Sequence, residues 1–124
     1  MRFFVALLWL NLLAADPAAA EENGERLFTP CRACHTLDPA EHDMPGPNLA
    51  GLIGRLVGGD PSFDYSPALR KAHDEGLRWD AARLETFLAD PAAMFPGLWM
   101  SMRGIETAND RLALVRFLAA PASR

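Results

Sequence analysis

The chain has 124 residues and a formal net charge of −4 at pH 7, from 12 lysine and arginine residues against 16 aspartate and glutamate residues. Its length fits one small domain. This acidic balance, without a concentrated basic patch, gives no indication of a nucleic-acid partner, because such partners need clustered positive charge.

The first twenty residues predict a secretory signal peptide. Arg2 supplies a short positive start, residues 3–15 are nearly all apolar, and residues 18–20 are three alanines that form a cleavage pattern. The apolar run is about 13 residues, shorter than the roughly 20 that an ordinary membrane span needs. We therefore expect export, cleavage after Ala20 and a mature domain at residues 21–124 without a membrane span. An uncleaved N-terminal anchor is the alternative.

The next stretch, residues 22–32, is predicted to form the first helix, with Leu27 and Phe28 facing inward. Both cysteines of the chain follow in "CRACHT", residues 31–36, and an imidazole comes directly after the second cysteine. This arrangement of two thiols and a histidine is the most informative motif of the chain.

Four kinds of site could use these residues. A disulfide between Cys31 and Cys34 would close a very small loop and leave His35 unexplained. A thioredoxin-like redox motif lies near a βαβ pattern, and no strand-like alternation is present. A structural zinc site needs a second ligand pair, which His42 and His73 do not form. The remaining possibility is c-type haem attachment, in which two thiols three positions apart bind one porphyrin edge and the following histidine faces the iron.

The loop that follows, residues 36–64, is rich in proline and glycine. A loop of this length in a compact domain is unusual unless it surrounds something. A buried macrocycle explains it, because the haem supplies apolar core that the chain lacks.

Three further helices are predicted after this loop. Ser66 followed by Pro67 is an N-cap with proline in the first turn, and Gly76 favours the end of that helix. Asp80 is expected to cap the next helix, which Pro91 ends. The last helix is expected from about Asn109, where apolar residues recur at helical spacing: Leu112, Leu114, Val115, Phe117 and Leu118.

The segment "FPGLWMSMRG", residues 95–104, bears on the second axial ligand of the iron. A sixth protein ligand favours electron transfer, whereas an open site permits oxygen or peroxide chemistry. Met100 and Met102 follow a Pro-Gly turn, and a thioether suits low-spin iron. His42 and His73 lie among charged residues and are expected to face solvent. A methionine of this segment is therefore the predicted sixth ligand.

Four motifs follow one another along the chain: Cys31-Arg-Ala-Cys34-His35; Gly46-Pro47-Asn48-Leu49 with Gly51-Leu52 and Gly54-Arg55; Phe63-Asp64-Tyr65-Ser66; and Pro96-Gly97 before Met100. The second motif, which is rich in glycine, is more specific than the cysteine motif alone. With these motifs the chain resembles, over about residues 22–120, the class I cytochromes c, of the mitochondrial cytochrome c and bacterial cytochrome c2 kind.

The resemblance implies an all-α small cytochrome c fold, with four to five short helices and long Gly/Pro-rich loops around one haem c. The haem would be bound covalently through Cys31 and Cys34. His35 and Met100, rather than Met102, would be its axial ligands. The Pro47 carbonyl would accept a hydrogen bond from the His35 ring, as partners of metal ligands do.

Further roles follow from the same resemblance. Arg55, Tyr65 and Trp79 would contact the haem propionates. The first and last helices would cross, with two residues of the first packed on two of the last: Gly24 and Phe28 on Leu114 and Phe117.

Three departures from the family pattern are visible. Leu98 stands where the family usually has a threonine, and Phe87 replaces a tyrosine, so two hydroxyls are missing near the sixth ligand. The lysines common around the exposed haem edge are also mostly absent. Their positions hold Met44, Ala92, Ala93, Trp99 and Glu106.

The sequence therefore predicts a periplasmic electron carrier of a respiratory chain, not an enzyme. Donor and acceptor redox proteins would dock at the haem edge through a mainly apolar face. One alternative is a dedicated cytochrome subunit of a periplasmic dehydrogenase complex. Another is a haem gas-binding or peroxidase-like protein, which would require an open iron site.

Overall fold

The computed structural model describes residues 14–121, so residues 1–13 of the expected signal peptide lie outside the described part of the chain. Within that part the chain forms five α-helices, one short 3-10 helix and no strand, with an isolated bridge between Leu56 and Arg78. This confirms the predicted all-α class. The helices are α1 (Pro17–Phe28), α2 (Pro67–Asp74), α3 (Ala81–Ala89), α4 (Pro91–Met94) and α5 (Ala108–Ala119), and the 3-10 helix is Thr29–Ala33.

The first helix begins and ends earlier than residues 22–32. The Asp16 side chain caps it, accepting a hydrogen bond from the Ala18 N–H at 3.0 Å, and Pro17 occupies the first turn. Pro30 cannot lie inside an α-helix without clashing with the preceding turn. The chain therefore tightens after Phe28 into the 3-10 helix that carries Cys31.

The next two helices begin at the predicted caps. The Ser66 hydroxyl accepts from the Leu69 N–H at 3.4 Å, and Gly76 at φ +74° follows the end of α2. The Asp80 carboxylate accepts from the Arg83 N–H at 2.7 Å at the start of α3.

The C-terminal part adds one helix that was not predicted. Asp90 ends α3 and also caps the short α4, accepting from the Ala93 N–H at 3.1 Å. Thr107 caps α5, accepting from the Asp110 N–H at 3.2 Å, so α5 begins one residue before the predicted Asn109.

Helices α1 and α5 cross at a glycine. A Cβ on Gly24 would lie 2.6 Å from the Phe117 Cβ and 2.8 Å from the Ala113 carbonyl oxygen. Beside this contact the Phe28 and Phe117 rings pack with centroids 5.6 Å apart. The predicted packing of Gly24 and Phe28 on Phe117 is confirmed, and Leu114 belongs to the same buried cluster.

A second contact brings the chain after α4 back onto α3. A Cβ on Gly104 would clash with the Ala89 carbonyl oxygen, so only glycine allows this approach. The Ile105 N–H donates to the Leu88 carbonyl at 2.8 Å. These contacts fix the downstream end of the segment that carries Met100. No helix among the described residues is long and apolar enough to cross a membrane.

Candidate functional site

Cys31, Cys34 and His35 lie on one tight turn at the end of the 3-10 helix. The Cys31 carbonyl accepts from the Cys34 N–H at 3.1 Å and from the His35 N–H at 2.9 Å. Cys31 is half-buried, Cys34 is exposed, and their sulfurs are not joined in a disulfide. Burial raises the pKa of the Cys31 thiol. Reactive redox cysteines need the opposite shift, so the thioredoxin-like alternative loses support.

The zinc alternative also lacks the necessary side chains. Across residues 14–121, no three His, Cys, Asp or Glu side chains come together in a group that could hold a metal ion. His42 is exposed and lies 3.3 Å from the Ser62 hydroxyl through its Nδ1 atom. His73 lies 3.6 Å from the Asp74 carboxylate on α2.

The His35 ring is oriented by the second motif of the chain. Its Nδ1 atom lies 2.7 Å from the Pro47 carbonyl oxygen, and a carbonyl can only accept, so Nδ1 carries the proton. The Nε2 atom of the neutral ring is then free of a proton and can bind a metal. A Cβ on Gly46 would lie 2.6 Å from His35 Cε1, so only glycine allows this approach. The Gly46 N–H also donates to the Cys34 carbonyl at 2.8 Å.

Asn48 holds the long loop together. Its side-chain amide donates to the Asp38 carbonyl at 2.7 Å and to the Glu41 carbonyl at 2.8 Å. Its side-chain oxygen accepts from the Ala50 N–H at 2.8 Å. Its own N–H donates to the Asp60 carboxylate at 2.9 Å. Segments far apart in the loop are thus joined at one buried residue.

Asp60 is a buried carboxylate in this loop. Burial alone would raise its pKa, but hydrogen bonds from the Ser62 hydroxyl and from the Asn48 and Ser62 N–H groups outweigh burial, with help from the nearby Arg55 charge. The pKa of Asp60 is therefore lowered. The Tyr65 hydroxyl accepts from the Asp60 N–H at 3.0 Å, and burial raises the pKa of Tyr65, which stays a neutral phenol.

Arg55 lies between this carboxylate and the loop backbone. Its two terminal nitrogens donate to the Ala50 carbonyl at 2.9 Å and the Asn48 carbonyl at 2.8 Å. Its Nε atom is buried and has no hydrogen-bond partner among the described residues. A buried donor without a partner is costly, and an anionic ligand group would satisfy it.

Trp79 is joined to Arg55 through the backbone. The Trp79 N–H donates to the Arg55 carbonyl at 2.8 Å, and the Trp79 carbonyl accepts from the Gly54 N–H at 2.7 Å. The indole is buried against the rings of Phe87 and Phe95, with centroids 5.1 and 6.3 Å away. The structure thus brings Arg55, Tyr65 and Trp79 to one region of the fold.

Met100 and Met102 are both half-buried and both pack against the apolar core. Packing alone therefore does not show which of the two methionines is the better candidate for an iron ligand. Trp99, which precedes Met100, is 60% exposed, and the Arg70 guanidinium carbon lies 5.9 Å from its ring centroid.

Sequence reasoning missed several residues that shape this region. Asn48 belongs to a quoted motif, but nothing in the sequence shows how many segments it joins. Asp60 follows two glycines in the loop, and its burial has no local signal. The contact between Arg70 and Trp99 depends on tertiary structure and has no local signal in the sequence.

Comparison with known proteins defines the class. No family model matches the chain. The chain is 40% identical over 100 residues to a cytochrome c2 of Agrobacterium tumefaciens (strain II Chrys), covering 81% of this chain and 90% of the relative. A cytochrome c2 of Blastochloris viridis is 31% identical over 129 residues, covering 100% of this chain and 99% of the relative. The solved structure of cytochrome cH from Methylobacterium extorquens matches with a TM-score of 0.70 and 36% identity, over 79% of this chain and 95% of that one.

The fold and the thiol–histidine turn define a c-type cytochrome. The chain belongs to the class I cytochromes c, of the mitochondrial cytochrome c and bacterial cytochrome c2 type. As a member of this family it carries one covalently attached haem c with iron, and it is an electron carrier rather than an enzyme.

The residues present fit this group. Gly46 leaves room beside the His35 ring where a Cβ would clash. The buried, unpartnered Nε atom of Arg55 matches the carboxylate of a haem propionate.

Proposed function

We propose that this protein is an exported, periplasmic carrier of single electrons whose haem iron is bound by His35 and Met100. The observation that carries the proposal is the 2.7 Å contact between His35 Nδ1 and the Pro47 carbonyl oxygen. This contact fixes the tautomer and the orientation of the ring, and it raises the basicity of the ligand nitrogen.

The other site residues have distinct roles in this proposal. Cys31 and Cys34 hold the porphyrin through thioethers. Arg55, Tyr65 and Trp79 surround the haem propionates. The buried Nε atom of Arg55 supports this assignment, because a propionate would satisfy it.

The haem supplies an iron that changes between the ferrous and ferric states. The chain orients the ligands, keeps water away from the iron and presents one edge of the macrocycle. Its apolar core contributes to the exclusion of water, since the aromatic cluster of Trp79, Phe87 and Phe95 is buried.

The periplasmic location rests on the sequence. Residues 1–20 read as a signal peptide with cleavage after Ala20, which leaves residues 21–124 as the haem domain. Export also agrees with the site, because haem is attached to such motifs outside the cytoplasm.

Donor and acceptor redox proteins would dock at the haem edge through a mainly apolar face. Trp99 is the strongest support for this, because a large indole with 60% exposure lies next to the proposed ligand. Aromatic residues are preferred anchors at the centres of interfaces. The same exposure favours a second candidate function, a dedicated cytochrome subunit of a periplasmic dehydrogenase complex. Such a subunit would copurify with its enzyme, whereas a free carrier would not.

The decisive experiment compares two methionine variants of the oxidised holoprotein. Met100→Ala should abolish the sulfur-to-iron charge-transfer band and lower the reduction potential, because the thioether raises it. Met102→Ala is the matched control, since it removes a neighbouring half-buried thioether, and it should keep the band.

Two outcomes would contradict the proposal. The reverse behaviour of the two variants would move the ligand to Met102. The second outcome is that neither the wild type nor Met102→Ala shows the band and that the reduced wild type binds carbon monoxide. That result would indicate an open iron site and a gas-binding or peroxidase-like protein.

A further inference from the structure

Arg70 of α2 connects three segments that are distant in the chain. One terminal nitrogen, Nη1, donates to the Asp64 carboxylate at 2.9 Å and to the Tyr65 carbonyl at 2.6 Å. The guanidinium carbon lies 5.9 Å from the centroid of the Trp99 ring, within the range of a cation–π contact. The guanidinium is therefore held by two hydrogen bonds while its positive charge lies close to the indole.

The segment that carries Met100 is fixed at both ends. Upstream, the Leu98 N–H donates to the Phe95 carbonyl at 3.0 Å. Downstream, the Ile105 N–H donates to the Leu88 carbonyl at 2.8 Å, and Gly104 lies against Ala89. Between these two anchors, the Arg70 guanidinium provides a contact between Trp99 and α2.

The exposure of Trp99 makes this contact important. Its ring is 60% exposed, so burial holds it less firmly than it holds the aromatic rings of the core. Trp99 immediately precedes Met100, and movement of its backbone moves the proposed ligand as well. A residue that restrains the Trp99 ring therefore also restrains Met100.

We infer that Arg70 is a positioning residue for the sixth iron ligand: its guanidinium, fixed by Asp64 and Tyr65, holds Trp99 and thereby keeps Met100 at the iron. The inference rests on the proposed function, because it requires Met100 to be the ligand. Removing a half-exposed cation–π pair should change an equilibrium constant roughly two- to fivefold.

The test uses the oxidised holoprotein with imidazole as the probe. When imidazole binds, its nitrogen forms a bond to the iron and the Met100 sulfur–iron bond breaks, with no change in oxidation state. Loss of the sulfur-to-iron charge-transfer band reports the exchange. Arg70→Met, which keeps the length of the side chain but removes its charge, should raise the apparent association constant for imidazole roughly two- to fivefold.

A double-mutant cycle separates this contact from general loosening of the fold. Trp99→Leu alone should give a similar increase, and Arg70→Met combined with Trp99→Leu should give no more than either single variant. Trp99→Phe keeps an aromatic ring and should stay within about twofold of the wild type. If Arg70→Met fails to fold, the Trp99→Leu and Trp99→Phe pair still tests the contact.

Lys71→Met is the matched control, since Lys71 is the next residue on α2 and pairs with Glu75 at 3.7 Å in an exposed position. It should leave imidazole binding unchanged. The inference alone would be overturned if the effects of Arg70→Met and Trp99→Leu on imidazole binding multiply in the double variant. It would also be overturned if neither variant changes imidazole binding while the wild type shows the band. A wild type without the band would overturn both the inference and the ligation proposal.

Discussion

Asp60 is a buried carboxylate that the fold keeps ionised. Three hydrogen bonds surround it: from the Asn48 N–H at 2.9 Å, the Ser62 N–H at 3.0 Å and the Ser62 hydroxyl at 2.6 Å. Because these contacts lower its pKa below the ordinary value of 3.8, the folded state holds the proton less tightly than the unfolded state. Asp60 therefore contributes stability that is fully present above pH 3.8 and is lost as the pH falls through the lower folded value.

Replacing Asp60 should change how stability depends on pH. Asp60→Asn should lower the free energy of unfolding at pH 7, because the amide is a weaker acceptor for three donors. As the pH falls below 3.8, the variant should lose less stability than the wild type, since it has no carboxylate to protonate. Denaturant unfolding of the oxidised holoprotein at several pH values measures both effects.

Asp64→Asn is the control for this experiment, because the Asp64 side chain is 83% exposed. It should follow the wild-type pH dependence closely. Equal slopes for wild type and Asp60→Asn would show that Asp60 has the same pKa in the folded and unfolded states. Neither the burial of Asp60 nor its three donors could be read from the sequence, because they depend on how the loop closes over itself.

The crossing of α1 and α5 limits what can replace Gly24. Two atoms of α5 lie within 3 Å of where a Cβ would be, and one of them is a backbone oxygen that cannot turn aside. Alanine improves intrinsic helix propensity over glycine by about 1 kcal/mol. Overpacking of a tight contact costs about 1–3 kcal/mol. Because the contact is so close, the cost of overpacking should exceed the gain in helix propensity.

We expect Gly24→Ala to lower the free energy of unfolding by up to about 2 kcal/mol, the overpacking cost less the gain in propensity. Chemical denaturation followed by far-ultraviolet circular dichroism measures the change. Glu22→Ala, an exposed substitution on the same helix, should stay within about 0.5 kcal/mol of the wild type. A Gly24→Ala variant more stable than the wild type would mean that the two helices do not approach so closely.

The helices show which local signals are reliable. The caps Ser66 and Asp80 predicted α2 and α3 correctly, because a side-chain acceptor before a helix is a local feature. The same signal, Asp16 before Pro17, starts α1 inside the stretch that the sequence predicts to be a signal peptide. The four-residue α4 has too few residues to show a periodic pattern.

At the scale of the whole molecule, docking at the haem edge, as proposed, would make the charge of the surrounding face govern how partners approach. A ring of lysines there would steer an acidic partner, with rates that fall steeply as salt rises. Here the corresponding positions are mostly apolar or acidic, and Ala92, Ala93, Trp99 and Glu106 are exposed while Met44 is half-buried. The cysteine and glycine motifs were sufficient to predict the haem and the fold. The partner could not be predicted, because its own surface determines half of the contact.

We expect electron transfer with the natural partner to depend only weakly on salt. Raising the salt from about 10 to about 150 mM shortens the Debye length from about 30 to about 8 Å. The rate should change only a few-fold over this range. Trp99→Ala should weaken binding by about 2 kcal/mol, the cost of removing an aromatic hot spot.

Leu112→Ala provides the control for Trp99→Ala. Leu112 is the other exposed large hydrophobic residue between residues 14 and 121, at 42% exposure, and it lies on α5. This variant should bind the partner normally. A rate that collapses with salt, together with normal binding by Trp99→Ala, would show that charge governs docking.

The hydrogen bonds around Asn48 have a consequence for amide hydrogen exchange. In the Gly/Pro-rich loop, the N–H groups of Gly46, Asn48 and Leu49 donate to Cys34, Asp60 and Thr36 at 2.8, 2.9 and 3.0 Å. Such protons exchange only when their segment opens, and cooperative opening units need not coincide with helices. The three amides should therefore exchange together and slowly, although none lies in a helix. In this chain the absence of regular secondary structure does not mark the segment that opens first.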